Sequence, residues 1–557
     1  MSMTKMRTRP LRSSIATLAA CTALAAGLTG ATAASSDAAN RHPAAHAKLG
    51  AGLPGPLDLG PAGLTETRTT TSVQPGVTLT RITRGGADAS LFWTLEVLIA
   101  PTSSSPDPDA PPAVIADRAS AEAEADRLRA DGFDPRVEPV RQPAVADVPA
   151  GVLGFRVRVG RFATQAAADQ AKAELAADGQ TANTVYTGWD GQRTARGPWR
   201  VNVVTIDRRA FRGTLEASFG PDIFDRETTS ALSRAAGATV GVNGGYFVLD
   251  PKSGAPGDPA GIGVYDGRFL SEPINDRPAL VLRDDAKRTT ISRFTWEGRA
   301  ELDGRTLRLD GIDRVPDLIR NCGGDGTDQP TSRPLHDITC TDDSELVVFT
   351  SEFGPTTPSG PGREVVLDSH QVVRATQAIR GTHLPAGWTS IQGTGALAET
   401  LADTHIGDRV RVTGGLRTEG GGRLPLNRHS TVVNGGPLLV RDGREFITQR
   451  RDGFVHPGEP SFAYGFVIKR NPRTFAGVDS RGRTLLITVD GRTADDLGLS
   501  IPEEADVARS LGIVDAINLD GGGSTTMTLD GQVITHPSDP TGERPVGDAI
   551  LILPRSR

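Results

Sequence analysis

The stretch Asp515-Ala-Ile-Asn-Leu-Asp-Gly-Gly-Gly-Ser-Thr-Thr-Met527 changes character halfway along. Its first half continues an apolar run begun by Ile513 and Val514 and carried on by Ile517 and Leu519, the pattern of a buried strand. Asn518 and Asp520 stand at the strand end, ahead of Gly521, Gly522 and Gly523 and the hydroxyls of Ser524, Thr525 and Thr526. Glycines at such a junction let the backbone turn sharply and bring its N–H groups close to a ligand. Taken alone, an Asp-Gly pair reads as a turn that caps itself. Two upstream stretches repeat the pattern, Val242-Asn-Gly-Gly-Tyr-Phe247 and Val433-Asn-Gly-Gly-Pro-Leu438. Each is an apolar strand end, then an Asn, then paired glycines, so the three junctions together predict one ligand site built at strand ends. Its candidate members are Asn243, Gly244, Gly245, Asn434, Gly435, Gly436 and Asn518, with Gly521 to Thr525.

Working outward, 557 residues allow about three domain-sized units. The net charge of −6 is small for this length and of mixed sign, with no basic stripe, which excludes an obvious nucleic-acid binder. Abundant glycine and sparse aromatics fit a strand-rich, turn-rich chain, and strand-helix-strand around the C-terminal junction makes it α+β with a mixed sheet. At the N-terminus, Lys5, Arg7, Arg9 and Arg12 precede the apolar stretch Ile15 to Leu28 and Ala31-Thr-Ala33, which reads as an export signal over residues 1–33. That stretch is too short for a membrane span, and no other segment is long and apolar enough. Leu18-Ala-Ala-Cys21 resembles a lipoprotein cleavage box, a weaker reading because the apolar run before it is very short. A secreted or wall-associated location follows. Residues 34–62 read as a flexible linker. Cys322 and Cys340 then remain as the expected disulfide of an exported chain, closing a short loop for ~3 kcal/mol. No pattern calls for a cofactor or a resident metal, although loop carboxylates leave room for a structural cation such as calcium.

After a first strand region at 63–90, residues 91–190 form a separable unit. Strands at 92–98, 136–140, 155–159 and 184–186 alternate with Ala-rich helices at 119–130 and 164–177, in the order βαββαβ of a ferredoxin-like module. Ser120 and Thr164 are the expected helix caps. The two halves resemble each other, and with Val157-Arg-Val-Gly-Arg-Phe-Ala163 the unit resembles a SPOR domain. That resemblance implies binding to peptidoglycan glycan strands. Arg156 and Arg158 are expected on the solvent side of its sheet.

From residue 197 to 554, strands such as 199–206, 409–413 and 484–489 alternate with glycine-rich turns, and 501–511 reads as a helix. Five motifs occur in order: the two Asn-Gly-Gly junctions, Asn471-Pro-Arg-Thr474, Val489-Asp-Gly-Arg492 and the stretch that ends at Met527, with the second junction before Asn471. Together they resemble the phosphodiester glycosidase family, which cuts between a sugar's anomeric carbon and a bridging phosphate. Such cleavage passes through an oxocarbenium-like state that a carboxylate stabilises. Asp520 is the first candidate and Asp490 the second. Arg473 and Arg492 are expected to grip the phosphate, unless they pair with Asp479 or Asp490. The N–H groups of Gly521 to Gly523 offer an anion nest. Asn243 and Asn434 either hold sugar hydroxyls, orient Asp520 or simply form turns. His456 reads as a loop residue. The same motifs admit a non-catalytic glycan-binding protein, an ordinary glycoside hydrolase, or a phosphodiesterase that cuts the P–O bond.

Overall fold

The computed structural model describes residues 53–99, 113–274, 276–320, 327–331, 338–456 and 458–555. The expected export signal, most of the linker and Cys322 lie outside the described residues. Cys340 is buried in the strand Ile338–Thr341. Among the described residues no helix is long and apolar enough to cross a membrane.

The architecture is α+β and mostly strand. Its largest sheet begins with β1 (Glu66–Gln74), β2 (Val77–Arg84) and β7 (Trp199–Ile206). It continues through Thr484–Val489, Arg473–Asp479, Ile513–Asn518, Leu438–Arg441 and Arg444–Glu445. Adjacent strands in it are antiparallel. Thr484–Val489 and Ile513–Asn518, joined through the helix Ile501–Ser510, are therefore not neighbours: Arg473–Asp479 runs between them. A parallel pair, Gly311–Ile312 beside Leu346–Thr350, makes the architecture mixed.

The central strand Thr484–Val489 is buried along its whole length because both of its faces are covered. Leu485, Ile487 and Val489 pack with Val201, Val203, Ala505 and Ala508. Leu486 points to the other face, toward Val204, Val242, Ile517, Leu519, Met527 and Ile550, where a second sheet built on Val240–Asn243 and Ala549–Leu553 lies. The helix Ile501–Ser510 starts in a capping box between Ser500 and Glu503, as the Ser-x-x-Glu spacing requires.

The small module lies between β2 and β7 in the chain. It comprises β3 (Trp93–Val97), α1 (Arg118–Ala130), β4 (Pro135–Gln142), β5 (Gly151–Phe162), α2 (Gln165–Ala177) and β6 (Ala182–Tyr186). The sheet order is β4-β5-β3-β6, all antiparallel, and β6 is an edge strand. Thr164 caps α2, while α1 is capped by Asp117, whose Oδ1 accepts from the Ser120 N–H at 3.0 Å.

The solvent-facing expectation for Arg156 and Arg158 does not hold: they are 7% and 1% exposed. Alternation along β5 sends Val157 and Val159 into the core beneath the helices and both arginines to the opposite face. That face meets the larger body instead of water. Arg158 forks onto Asp190, with Nη1 and Nη2 each 2.7 Å from a carboxylate oxygen, and also reaches Glu96 Oε2 at 2.8 Å. Arg156 bonds Glu138 at 3.0 Å and Asp190 at 3.0 Å. Tyr464 of the larger body donates to Glu96 at 2.7 Å and accepts from Arg156 at 2.8 Å. Burial pushes the Glu96 carboxyl up, but Lys469, Arg158 and Arg156 outweigh it and hold it down at about 2. Nearby, the N–H groups of Val114 and Ile115 both donate to Ser461 Oγ, at 3.1 Å each.

Candidate functional site

The three glycine junctions converge. Asn243 Nδ2 donates to the Asp520 carbonyl at 2.7 Å, and its Oδ1 accepts from Thr526 N–H at 3.1 Å and Thr474 Oγ1 at 2.7 Å. The Asp520 N–H donates to the Gly244 carbonyl at 3.1 Å. Asn518 Nδ2 reaches the Gly436 carbonyl and the Tyr246 hydroxyl, and Asn434 grips the Tyr246 backbone through both ends of its amide. The three asparagines are thus buried and committed to protein groups. They fasten the strand ends and so set where Asp520 stands. The glycines allow the close approach: a Cβ on Gly245 would lie 2.6 Å from Asn434 Nδ2, and one on Gly435 would lie 2.6 Å from the Asn518 carbonyl.

Beside this knot is a cavity of about 680 Å³. Asp520 and Gly521 to Gly523 line it with Arg473, Arg492 and Arg544. Phe462 and Phe466 contribute aromatic surface, and Asn183, Val185 and Trp189 come from the module and the segment that follows it. Asp520 is the one carboxylate among the described lining residues. Enclosure pushes its carboxyl up to about 6, against the lowering pull of the Ser524 hydroxyl, Arg544 and the Gly521 N–H. Ser524 and Thr525 are buried behind it.

The arginines are held in different ways. Arg473 is buried, its Nε donating to the Leu499 carbonyl at 2.9 Å and its Nη2 to the Phe466 carbonyl. Burial lowers its pKa. Behind it, 4.0 Å from Nε, Glu504 is pushed up to about 8 by burial and so is mostly neutral at pH 7. Arg492 stands at the exposed lip and donates to Asn471 Oδ1 at 3.2 and 3.1 Å. Neither is paired with Asp479, which holds Arg483, nor with Asp490. Arg544 forks onto Asp539 at 2.7 and 3.0 Å. A Cβ on Gly523 would fall 2.2 Å from Arg544 Nη2, so glycine is what lets this pair press against the loop. Sequence reasoning missed Arg544 because it sits in a plain loop with no motif around it.

Two expectations change in three dimensions. Of the three N–H groups offered as an anion nest, Gly521 donates to Asp520 Oδ1 at 2.9 Å and Gly522 to the Pro472 carbonyl at 2.9 Å. Asp490 does not line the cavity. It is buried against His536 and Asp496, and burial raises its carboxyl to about 6. This trio could ligate a cation, but Arg200 Nη1 already occupies both Asp496 oxygens at 2.7 and 2.6 Å. His456 is buried and stacked on Phe462 at 4.0 Å, and burial lowers its pKa to about 4, so it packs as a neutral ring.

A strand-rich α+β body with a carboxylate-and-arginine cavity at its strand ends, carrying a small βαββαβ module, defines a site-bearing domain with an inserted module. Comparison with known proteins gives both parts their families. The phosphodiester glycosidase family matches residues 362–553, and the SPOR domain family matches residues 113–186. The chain carries a phosphodiester glycosidase family domain and a separate SPOR domain. It is 34% identical over 116 residues to the mouse N-acetylglucosamine-1-phosphodiester alpha-N-acetylglucosaminidase, covering 21% of this chain and 22% of that one. With the bovine protein of the same name it shares 30% over 213 residues, 34% of this chain and 38% of that one. The chain thus spans well under half the length of either mammalian relative. A crystal structure of a candidate exported protein from Burkholderia pseudomallei is similar over 90% of this chain and 99% of its own, at 33% identity and a TM-score of 0.79.

Proposed function

We propose that this chain hydrolyses the bond between a sugar's anomeric carbon and the bridging phosphate of a sugar-1-phosphodiester. The observation that carries the reading is the cavity itself: a single carboxylate, Asp520, among the described lining residues, beside Arg473, Arg492 and Arg544. The anomeric C–O bond breaks, and its electron pair leaves on the phosphate oxygen. The Asp520 carboxylate stabilises the positive charge that develops on the sugar, and water supplies the new hydroxyl. The departing phosphomonoester is a weak base, so it needs charge neutralisation more than a proton, and the arginines provide it. The products are a free reducing sugar and a phosphomonoester. Asp490 has no part in this scheme.

The mammalian relatives, named for this reaction on N-acetylglucosamine, support the bond type. The SPOR domain supports a setting at the bacterial wall, with peptidoglycan glycan strands as partner and a phosphate-bearing wall polymer as substrate. Attachment raises the local concentration of that polymer. Export, and the Cys322–Cys340 disulfide, belong to the same reading.

The test is hydrolysis of UDP-N-acetylglucosamine and related sugar-1-phosphodiesters by the purified protein beside Asp520→Asn. Reducing sugar, with UDP from the nucleotide sugar or a phosphomonoester from the simple diesters, released by the wild type and lost in the variant supports the proposal. Release of sugar-1-phosphate in place of free sugar moves the cut to the P–O bond. Binding without turnover across the panel makes the protein a glycan binder.

A further inference from the structure

We infer that the SPOR domain is part of the substrate pocket, its edge strand β6, through Asn183 and Val185, and the following Trp189 forming the subsite for the neutral saccharide portion of the substrate. The inference rests on the reading of the cavity as a sugar-1-phosphodiester site and names a specificity-determining surface within it.

Three observations carry it. The first is placement. Asn183 lies across from Glu96 and Val185 across from Thr94 in the β3–β6 pair. Directly opposed residues share a face, and Glu96 marks that face by its bond to Tyr464 of the larger body. Asn183 and Val185 therefore point toward the glycosidase domain. Thr184 points the other way, its hydroxyl donating to Asp169 of α2 at 2.6 Å.

The second is that this wall is fixed. The Arg156, Arg158, Glu96, Asp190 and Tyr464 network fastens the sheet face behind it. Arg470 donates from its N–H to the Trp189 carbonyl at 2.7 Å and from Nη1 to the Gly188 carbonyl at 2.7 Å. Trp189 Nε1 donates to the Thr493 carbonyl at 3.1 Å. A module tethered only by its two connections would have none of these bonds.

The third is chemistry. Every cationic group of the cavity comes from the glycosidase domain: Lys469, Arg470, Arg473, Arg492 and Arg544. The share of the module and the segment after it is uncharged, Asn183, Thr184, Val185 and Trp189, of which the carboxamide, the aliphatic side chain and the indole face the glycosidase domain. Asn183 is half-buried, and its carboxamide has no hydrogen bond to another described residue, so both a donor and an acceptor are available to a ligand. An amide beside apolar surface suits sugar hydroxyls and the C–H face of a pyranose, whereas the arginines suit phosphate. Each half of the ligand thus meets the wall that matches it.

The test is steady-state kinetics of the full chain on UDP-N-acetylglucosamine. Asn183→Ala is expected to raise KM about fivefold to tenfold, the worth of one or two lost hydrogen bonds, with kcat within about twofold. Asn183→Asp, which keeps the side chain's size, is expected to change KM while the melting temperature stays put. Lys172→Ala, on the exposed side of α2, serves as control. An unchanged KM in Asn183→Ala, with wild-type turnover intact, overturns the inference. If the wild type turns over no sugar-1-phosphodiester, the functional proposal fails by itself, and the subsite is then read by calorimetry with chitotetraose. About fivefold weaker binding to Asn183→Ala sustains the inference; equal binding, or none to either protein, overturns it.

Discussion

The sheet face of the SPOR domain and the wall of the cavity are both rich in arginine, but they balance it differently. On the sheet face, Arg156 and Arg158 meet Glu96, Glu138 and Asp190, and the Tyr464 hydroxyl shares the cluster. In the cavity, five cationic side chains and a single carboxylate line the described surface. Lys469 is matched by Glu96, Arg470 by Glu503 and Arg544 by Asp539, but Arg473 leans on two backbone carbonyls and Arg492 on an amide. Burying a charge is costly unless it is paired. A fully paired cluster can therefore be closed off between two bodies, while an excess of one sign must keep access to water or to an anion. On the proposed function, the difference separates an arginine that docks from an arginine that binds.

The comparison can be broken most sharply at its two anchors. Asp520→Asn is expected to lower kcat/KM on UDP-N-acetylglucosamine by on the order of 10²- to 10⁴-fold with little change in urea unfolding. A variant that keeps its activity removes Asp520 from the chemistry. Arg158→Met leaves Asp190 buried without its main partner and Glu96 without one of its three cations. It is expected to cost about 3–5 kcal/mol in urea unfolding. Wild-type stability in that variant would show that the cluster does not hold the two parts together.

Smaller effects sharpen the contrast. Arg492→Ala, at the lip, is expected to reduce kcat/KM by about 10- to 100-fold, the worth of a charge-assisted bond to phosphate, with stability within ±0.5 kcal/mol. A loss of stability in place of activity would move Arg492 to the docking class.

The two regions also titrate apart. On the proposed chemistry Asp520 acts ionised, and its carboxyl is pushed up to about 6, so kcat/KM is expected to fall about tenfold per pH unit below that value. Glu96 is held down at about 2, below its unfolded range near 4.5. Its contribution to stability is complete above that range and is lost progressively as pH falls from there through about 2. At pH 5, activity should be failing while the near-ultraviolet circular dichroism of the folded chain is intact. Coincident loss of both signals would tie the pH response to unfolding.

Much of this was legible in the chain, for local reasons. Trp199–Ile206 and Thr484–Val489 are strands with the limits that their apolar runs predict. The Asn-Gly-Gly and Asp-Gly-Gly junctions do converge, because glycine followed by a backbone turn leaves its mark in a few consecutive residues. The roles of the asparagines were not legible. Asn243, Asn434 and Asn518 spend their amides on neighbouring strand ends up to 283 positions away. Asp490 could not be separated from Asp520 by motif either. Both stand at strand ends before glycine, and only the fold turns one toward the cavity and the other toward His536.

Composition and periodicity by themselves determined the α+β class, the βαββαβ order of the module and the helix starts near Thr164 and Ser500; the family of each part was legible only as a resemblance carried by its short motifs. These follow from residues close together in sequence, where side-chain alternation and capping act. Tertiary structure alone decided that the polar face of β5 meets protein rather than water, that Arg544 joins the cavity, and that Asn183 and Trp189 share a wall with Asp520. An alternating strand reads the same whether its polar face is covered by solvent or by a matching cluster of charge. Which of the two it meets depends on partners far along the chain.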